Sequence, residues 1–198
     1  MIADALTLCD RLDPGSLAPP RDAREEAAWL ARARAGEDAA FRWLLARYRL
    51  RALRLAGHVL RSGEADAEDA VQEAFVRAFR AVPTLHGDAF FPFLCRITVR
   101  VCADRQRRAG WGRERPLADW DAPAPPPSEM RLLVGALLDR LSPPLRAALV
   151  LREMDGMDYD DIARILQVPV GTVRSRLSAA RAQFRQWWTA AQEETDNV

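Results

Sequence analysis

Residues 141–188 read LSPPLRAALVLREMDGMDYDDIARILQVPVGTVRSRLSAARAQFRQWW, and the punctuation of this stretch describes three consecutive helices. Ser142 stands as an N-cap with Pro143 at the first helical position, Gly156 marks the stop, and Asp158 caps a second start. The second helix is short. After Ile162, Ala163, Ile165 and Leu166 the chain turns through Gln167, Val168 and Pro169, and a third helix begins near Val170. Two short helices joined by so tight a turn point to a helix-turn-helix, whose second helix would lie in a DNA major groove.

The third helix sorts its residues accordingly. Val173, Leu177, Ala180 and Phe184 recur at helical spacing and form one apolar stripe toward a core. Gly171, Ser175, Ser178 and Ala182 fall on the opposite side, where small side chains let a backbone approach a groove. Arg174, Arg181 and Arg185 line one flank and Arg176 the other, an arrangement suited to phosphates on both groove walls. An ordinary amphipathic helix with a solvated basic face has the same pattern, so the rest of the chain must decide.

Upstream, residues 129–140 read as the first helix of this second domain, burying Leu132, Leu133, Ala136, Leu137 and Leu141. Residues 110–128 shift to Gly, Trp and Pro, with Pro116, Pro123, Pro125, Pro126 and Pro127, and read as an extended linker. Downstream, residues 192–198 read as a polar, frayed tail.

The first domain, 22–109, is expected to be helical throughout. A helix from Asp22 ends at Gly36, and a longer one over 37–60 carries Phe41, Leu44, Leu45, Tyr48, Leu53, Leu55, Ala56, Val59 and Leu60 on a broad apolar face. Residues 63–82 open with five acids and no base between Glu64 and Glu73, which favours a helix N-terminus. Val71, Phe75, Val76 and Phe79 supply the buried stripe there, leaving Asp69, Gln72 and Glu73 toward solvent. Pro83 ends that helix. After a loop over 84–91, a helix over 92–108 has Leu94, Ile97, Val101 and Cys102 on its apolar face and Arg96, Arg100, Arg105, Arg107 and Arg108 elsewhere. Phe90, Phe91 and Phe93 precede the arginines, and aromatics beside arginines can stack on unpaired bases; they can equally be core residues. Residues 1–21 mix acids with Pro and Gly and read as a loose extension.

Composition narrows the function classes. At 198 residues, 49% hydrophobic and 29% charged, the chain is globular and long enough for two small domains. All 29 basic side chains are Arg. No apolar run approaches 18 residues and no signal-peptide pattern opens the chain, so neither membrane insertion nor export is indicated and a cytoplasmic protein is expected. Cys9, Cys95 and Cys102 are scattered; on one helix, Cys95 and Cys102 stand about 10 Å apart, too far for a disulfide, so reduced thiols are expected. His58 and His86 match no zinc spacing, no catalytic constellation is apparent, and no cofactor is expected. A recombinase-like enzyme would need a nucleophile with supporting Arg or a carboxylate cluster for metal, and neither is found.

The order of parts resembles an extracytoplasmic-function (ECF) sigma factor, the small two-domain class of bacterial RNA polymerase initiation subunits in the sigma-70 family. Asp66-Ala-Glu-Asp-Ala-Val-Gln-Glu73 is similar to that family's region 2.2, residues 87–108 to regions 2.3 and 2.4, and residues 141–185 to region 4. The resemblance implies an all-α fold of two helical domains, region 2 over 22–109 and region 4 over 129–191, and a protein that is not an enzyme by itself. It implies docking of Asp69, Gln72, Glu73 and Phe79 on the clamp of the polymerase largest subunit. It implies minus-10 DNA contacts from His86, Asp88, Phe91, Phe93, Arg96, Arg100, Arg107 and Arg108, with the loop over 85–91 as a pocket for a flipped base. Minus-35 contacts fall on Thr172, Arg174, Ser175, Arg176, Ser178 and Arg181, and an anti-sigma factor is an expected further partner.

The chain departs from the family pattern in places. The segment before Leu94 is one residue shorter and has Phe93 where Trp is common, Arg100 replaces a frequent Asn, and Ser178 and Ala179 replace larger residues. Gln167 replaces the usual turn Gly, which demands a non-Gly residue in a left-handed or adjusted turn. The rival reading is a free-standing helix-turn-helix regulator that never engages polymerase.

Overall fold

The computed structural model describes residues 23–60, 64–87, 89–108 and 129–196. The expected N-terminal extension, the proline-rich linker over 110–128 and Asp88 lie outside these residues. Eight α-helices and no strand occur among the described residues, and the chain divides into two compact units.

The first unit holds α1 (Ala23–Arg34), α2 (Asp38–Leu60), α3 (Glu64–Ala81) and α4 (Phe90–Arg108), with a short 3-10 turn at Val82–Thr84. Gly36, at φ 83°, supplies the left-handed residue that ends α1, a conformation costly for a residue with a Cβ. Helix α2 is central, packing on α1, α3 and α4. Its length allows this, because Ala40, Leu44, Tyr48, Ala52, Leu55, Ala56 and Val59 keep one broad face buried over 23 residues. Leu45, expected inside, is 37% exposed, since it lies off the side where α3 and α4 meet α2. In α3 the core-facing set is Ala67, Ala70, Val71, Ala74, Phe75 and Ala78; four alanines there let the helices approach closely. Val76, placed in the buried stripe by sequence, is 44% exposed, because the alanines already occupy the inward positions. Helix α4 begins two residues earlier than expected, so Phe90 and Phe91 belong to its first turn and to the core. Cys95 and Cys102 are both buried on this helix, and burial pushes the Cys102 thiol up to about 12.

The second unit holds α5 (Glu129–Arg140), α6 (Pro143–Leu149), α7 (Tyr159–Leu166) and α8 (Val170–Asp196). Helix α6 runs on into a π-helical turn, Val150–Met154, where Asp155 N donates to Val150 O at 3.2 Å. Ser142 has the extended conformation of an N-cap and Pro143 follows at N1, but the Ser142 side chain makes no capping bond. Asp158 does cap: its Oδ1 accepts from Asp161 N at 2.7 Å. In α5 the buried positions are Val134, Leu137 and Leu138, followed by Leu141; Leu132 is 60% exposed and Ala136 is exposed, contrary to the sequence expectation. The helical stripe starts at Val134 and not at Leu132, a shift that the run of neighbouring apolar residues conceals. Arg146 is fully buried, donating to Asp139 Oδ1 at 3.0 Å and to Leu141 O at 3.1 Å, so its charge is paired inside the unit. The last helix continues to Asp196 where the sequence suggested a frayed tail from Gln192.

Candidate functional site

In the second unit, the tight turn between α7 and α8 is closed by Gln167, which adopts φ 54° and ψ 47°. Val168 N then donates to Ala163 O at 3.1 Å, satisfying a carbonyl at the end of α7. Pro169 O accepts from Thr172 N at 2.9 Å and from Val173 N at 3.2 Å, starting α8 directly after the turn. Val173, Leu177, Ala180, Phe184 and Trp188 are buried along one side, while Gly171, Arg174, Ser175, Ser178, Ala182 and Arg185 are exposed. Thr172 and Arg176 are half-buried at the margins. Ser175 Oγ donates to Thr172 O at 3.0 Å, which leaves its lone pairs outward as acceptors.

Arg181 is placed differently from the sequence expectation. Its Nε and Nη2 both donate to Glu153 Oε1, at 3.0 and 2.5 Å, and Glu153 comes from the π-helical turn. The hydrogen bond to Glu153 raises the Arg181 pKa further. This carboxylate comes from 28 residues upstream, outside the helix that carries the basic flank. Nearby, Arg152 donates to Met157 O at 2.7 Å and lies 5.3 Å from the Tyr159 ring.

In the first unit, Asp69, Gln72, Glu73 and Val76 line an open groove of about 520 Å³ with Arg77, Arg80 and Arg105. Asp69 and Gln72 are exposed and Glu73 is half-buried. The acids are not isolated. Arg105 of α4 reaches Glu73 at 3.2 Å and Asp69 at 3.9 Å, and Arg77 also pairs with Glu73. Phe79 does not share this groove: its ring packs against Phe41 at 4.8 Å, Phe75 at 5.5 Å and Phe90 at 6.3 Å. Val76 is the apolar residue lining this groove, and the i, i+3, i+4, i+7 spacing of 69, 72, 73 and 76 was a signal that could have found it.

Helix α4 carries a second candidate face. Phe93, Arg96, Arg100 and Arg107 follow one another at three-, four- and seven-residue intervals and so share a side. Arg96, Arg100, Arg107 and Arg108 are exposed, and the Arg96 guanidinium lies 5.5 Å from the half-buried Phe93 ring. Arg107 pairs with Asp104, which reduces the charge it offers. Phe91 is a correction: it is 5% exposed, stacked on Tyr48 at 5.2 Å with the Arg51 guanidinium 3.6 Å from its ring, and so belongs to the core. His86 is exposed on the loop ahead of α4.

That loop is gripped from α1. Glu26, 6% exposed, accepts from Phe90 N at 3.0 Å, and Arg34 Nη2 donates to Gly87 O. Neither contact was visible in the sequence, because both join residues more than 50 positions apart.

Comparison with known proteins matches residues 44–112 to the family described as Sigma-70 region 2 and residues 131–184 to Sigma-70 region 4. The chain is 35% identical over 170 residues to the ECF RNA polymerase sigma-E factor of Escherichia coli K12, covering 76% of this chain and 87% of that one. Among solved structures it is similar to CnrH in complex with the cytosolic domain of CnrY, with 28% identity, a TM-score of 0.65 and coverage of 85% and 99%. It shares the fold of the sigma factor RpoE in complex with the anti-sigma factor NepR from Bartonella quintana, at 22% identity, TM-score 0.66 and coverage of 75% and 96%.

Proposed function

The chain belongs to the ECF sigma factors of the sigma-70 family, and from that premise we propose how its surfaces divide the work of binding core RNA polymerase, recognising a promoter and opening it. The groove on α3 takes the polymerase clamp, through Asp69, Gln72, Glu73 and the exposed Val76. An apolar centre with charges at its edge suits a protein interface. The face of α4 and the loop ahead of it take the minus-10 element, through His86, Phe93, Arg96, Arg100, Arg107 and Arg108. Flipping a base costs a few kcal/mol, which stacking on an aromatic and phosphate pairing with arginines offset.

Minus-35 reading falls to Thr172, Arg174, Ser175, Arg176 and Ser178, with Arg181 held by Glu153 and offering only its remaining N–H groups to a phosphate. The observation that carries this reading is the geometry of α8. Its buried Val173-Leu177-Ala180-Phe184 stripe turns Arg174, Ser175 and Ser178 outward directly behind a two-helix turn. Between the exposed arginines Arg174 and Arg185 the outward side chains Ser175, Ser178 and Ala182 are small, so shape readout through arginine adds to base contacts.

The protein is read as a non-catalytic regulatory subunit of the cytoplasm; no helix among the described residues is long and apolar enough to cross a membrane. An anti-sigma factor is proposed as a further partner, in keeping with the complexes in which similar proteins were solved. A free-standing regulator is not favoured, because it leaves the α3 groove without a role. The test is in vitro transcription with core polymerase on a genomic library. New start sites preceded by a shared bipartite element are expected; transcripts identical with and without the protein would end the proposal.

A further inference from the structure

We propose that Glu26 and Arg34 of α1 are positioning residues that set the shape of the loop ahead of α4 for capture of the minus-10 base, an inference that rests on the minus-10 site proposed for α4 and its loop. The loop leaves the 3-10 turn at Leu85, whose N donates to Val82 O at 3.0 Å, and re-enters helix at Phe90. Between these points Gly87 takes φ 97°, a conformation reached by few other residues. Two side chains of α1 hold it. Arg34 donates to Gly87 O at the bend, and Glu26 accepts from Phe90 N at the first turn of α4, where a helix leaves its N–H groups without partners.

The two grips differ in setting. Glu26 is 6% exposed, next to the Tyr48 hydroxyl, and burial with this neighbouring carboxylate raises the Tyr48 pKa. Tyr48 in turn stacks with Phe91 and meets Phe90 at 5.8 Å. The start of α4 is therefore fixed by both a hydrogen bond and ring packing, whereas the bend at Gly87 is fixed at the surface by Arg34. Three residues beyond Phe90, Phe93 begins the basic face. A shift of the bend relative to α4 would move His86 relative to Phe93 while leaving the α3 groove and α8 untouched.

The experiment uses holoenzyme assembled from full-length protein and core polymerase. The probe is a single-stranded non-template oligonucleotide spanning the minus-10 element of a promoter recovered from the library. Glu26→Ala and Arg34→Ala are each expected to lower oligonucleotide affinity about tenfold, the scale of one lost charge-assisted hydrogen bond. Glu26→Gln, which keeps an acceptor for Phe90 N, is expected to recover most of it. Core binding and minus-35 duplex binding should stay at the parent level. Unchanged oligonucleotide affinity in the folded variants, or an equal fall in all three readouts, would overturn the proposal. If Glu26→Ala does not fold, the surface variant Arg34→Ala carries the test alone. His86→Ala with Phe93→Ala separates the two readings: parent-level affinity in that variant overturns the site reading and the brace with it, whereas a loss there beside unchanged Arg34→Ala overturns the brace only.

Discussion

Arg174 and Arg181 stand about two turns apart on α8 and meet different surroundings, so equal charge does not mean equal role. Arg174 is exposed, whereas Arg181 gives two donors to Glu153, whose side chain is only 12% exposed. Arg174→Ala is expected to weaken minus-35 binding and flatten its salt dependence by about one unit of slope, as measured by fluorescence anisotropy over a salt series. Arg181→Ala should instead cost about 1 kcal/mol in urea unfolding, since Glu153 loses its partner in a mostly buried place. Equal salt slopes for the two variants would refute the distinction. A second residue gives a pH signature. Burial, then the neighbouring Asp158, raises the Asp161 pKa above its ordinary value, and Arg164 lowers it only in part. A carboxyl with a raised folded pKa binds protons more readily in the native state, so stability falls as pH rises from the unfolded to the folded value. Asp161→Asn should therefore be more stable than the parent at neutral pH, the difference vanishing below the aspartate range. A variant less stable at neutral pH would show that the Arg164 pair at 2.5 Å outweighs the burial.

At the scale of elements, the sequence was most legible where local chemistry settles local structure. Asp158 as cap, the left-handed residue at Gln167 and the buried stripe of α8 all follow from spacing and turn chemistry. The features that escaped came from contacts between elements: Glu153 on Arg181, Arg105 on Glu73, and the inward alanines of α3 that push Val76 out. The same limit explains Phe91, since an aromatic beside arginines reads alike in a core and on a surface. Helix α3 supports a direct prediction. Gln72→Arg with Val76→Asp changes the groove while leaving the Glu73 pairs with Arg77 and Arg105 in place. Circular dichroism and melting should stay near the parent, because surface substitutions usually shift stability by less than about 0.5 kcal/mol. Core polymerase should bind at least about tenfold more weakly, since a carboxylate then needs burial at an interface. Parent-level transcription at limiting protein would reject the groove as the docking face. Reversing Asp69 and Glu73 is a blunter probe, because it sets new cations against Arg105 and Arg77 and disturbs the free protein as well.

For the whole molecule, each unit has its own closed core, one around α2 and one around α8. Tyr48, Phe90 and Leu94 fill the first core, and Arg146, Leu149 and Phe184 the second. The residues between them are proline-rich, a composition that does not continue a helix. We therefore expect a cut within 110–128 to yield two fragments that fold separately and unfold with independent midpoints. The fragment with α5–α8 should retain duplex binding, and that with α1–α4 should retain polymerase binding. A single shared transition, with neither fragment folded alone, would contradict this. The two-unit plan was readable in sequence from the composition shift; the bracing of the loop by α1 was not, because hydrogen bonds between distant positions leave no periodic trace.

The turn at Val150–Met154 has one further consequence, for how chains of this kind are aligned. An α-helix is a screw that advances about 100° per residue, so a turn holding one residue more than usual resets the phase of the residues after it. In this phase Glu153 looks toward α8 and Leu151 looks inward. A one-residue gap placed between 150 and 153 would rotate Glu153 out of register and unfasten Arg181. The same gap a few positions later, at the bend around Gly156, would change only the length of a connection. Two aligned sequences with equal identity could then differ in whether α8 is fastened at all, and the column in which the gap falls would tell them apart.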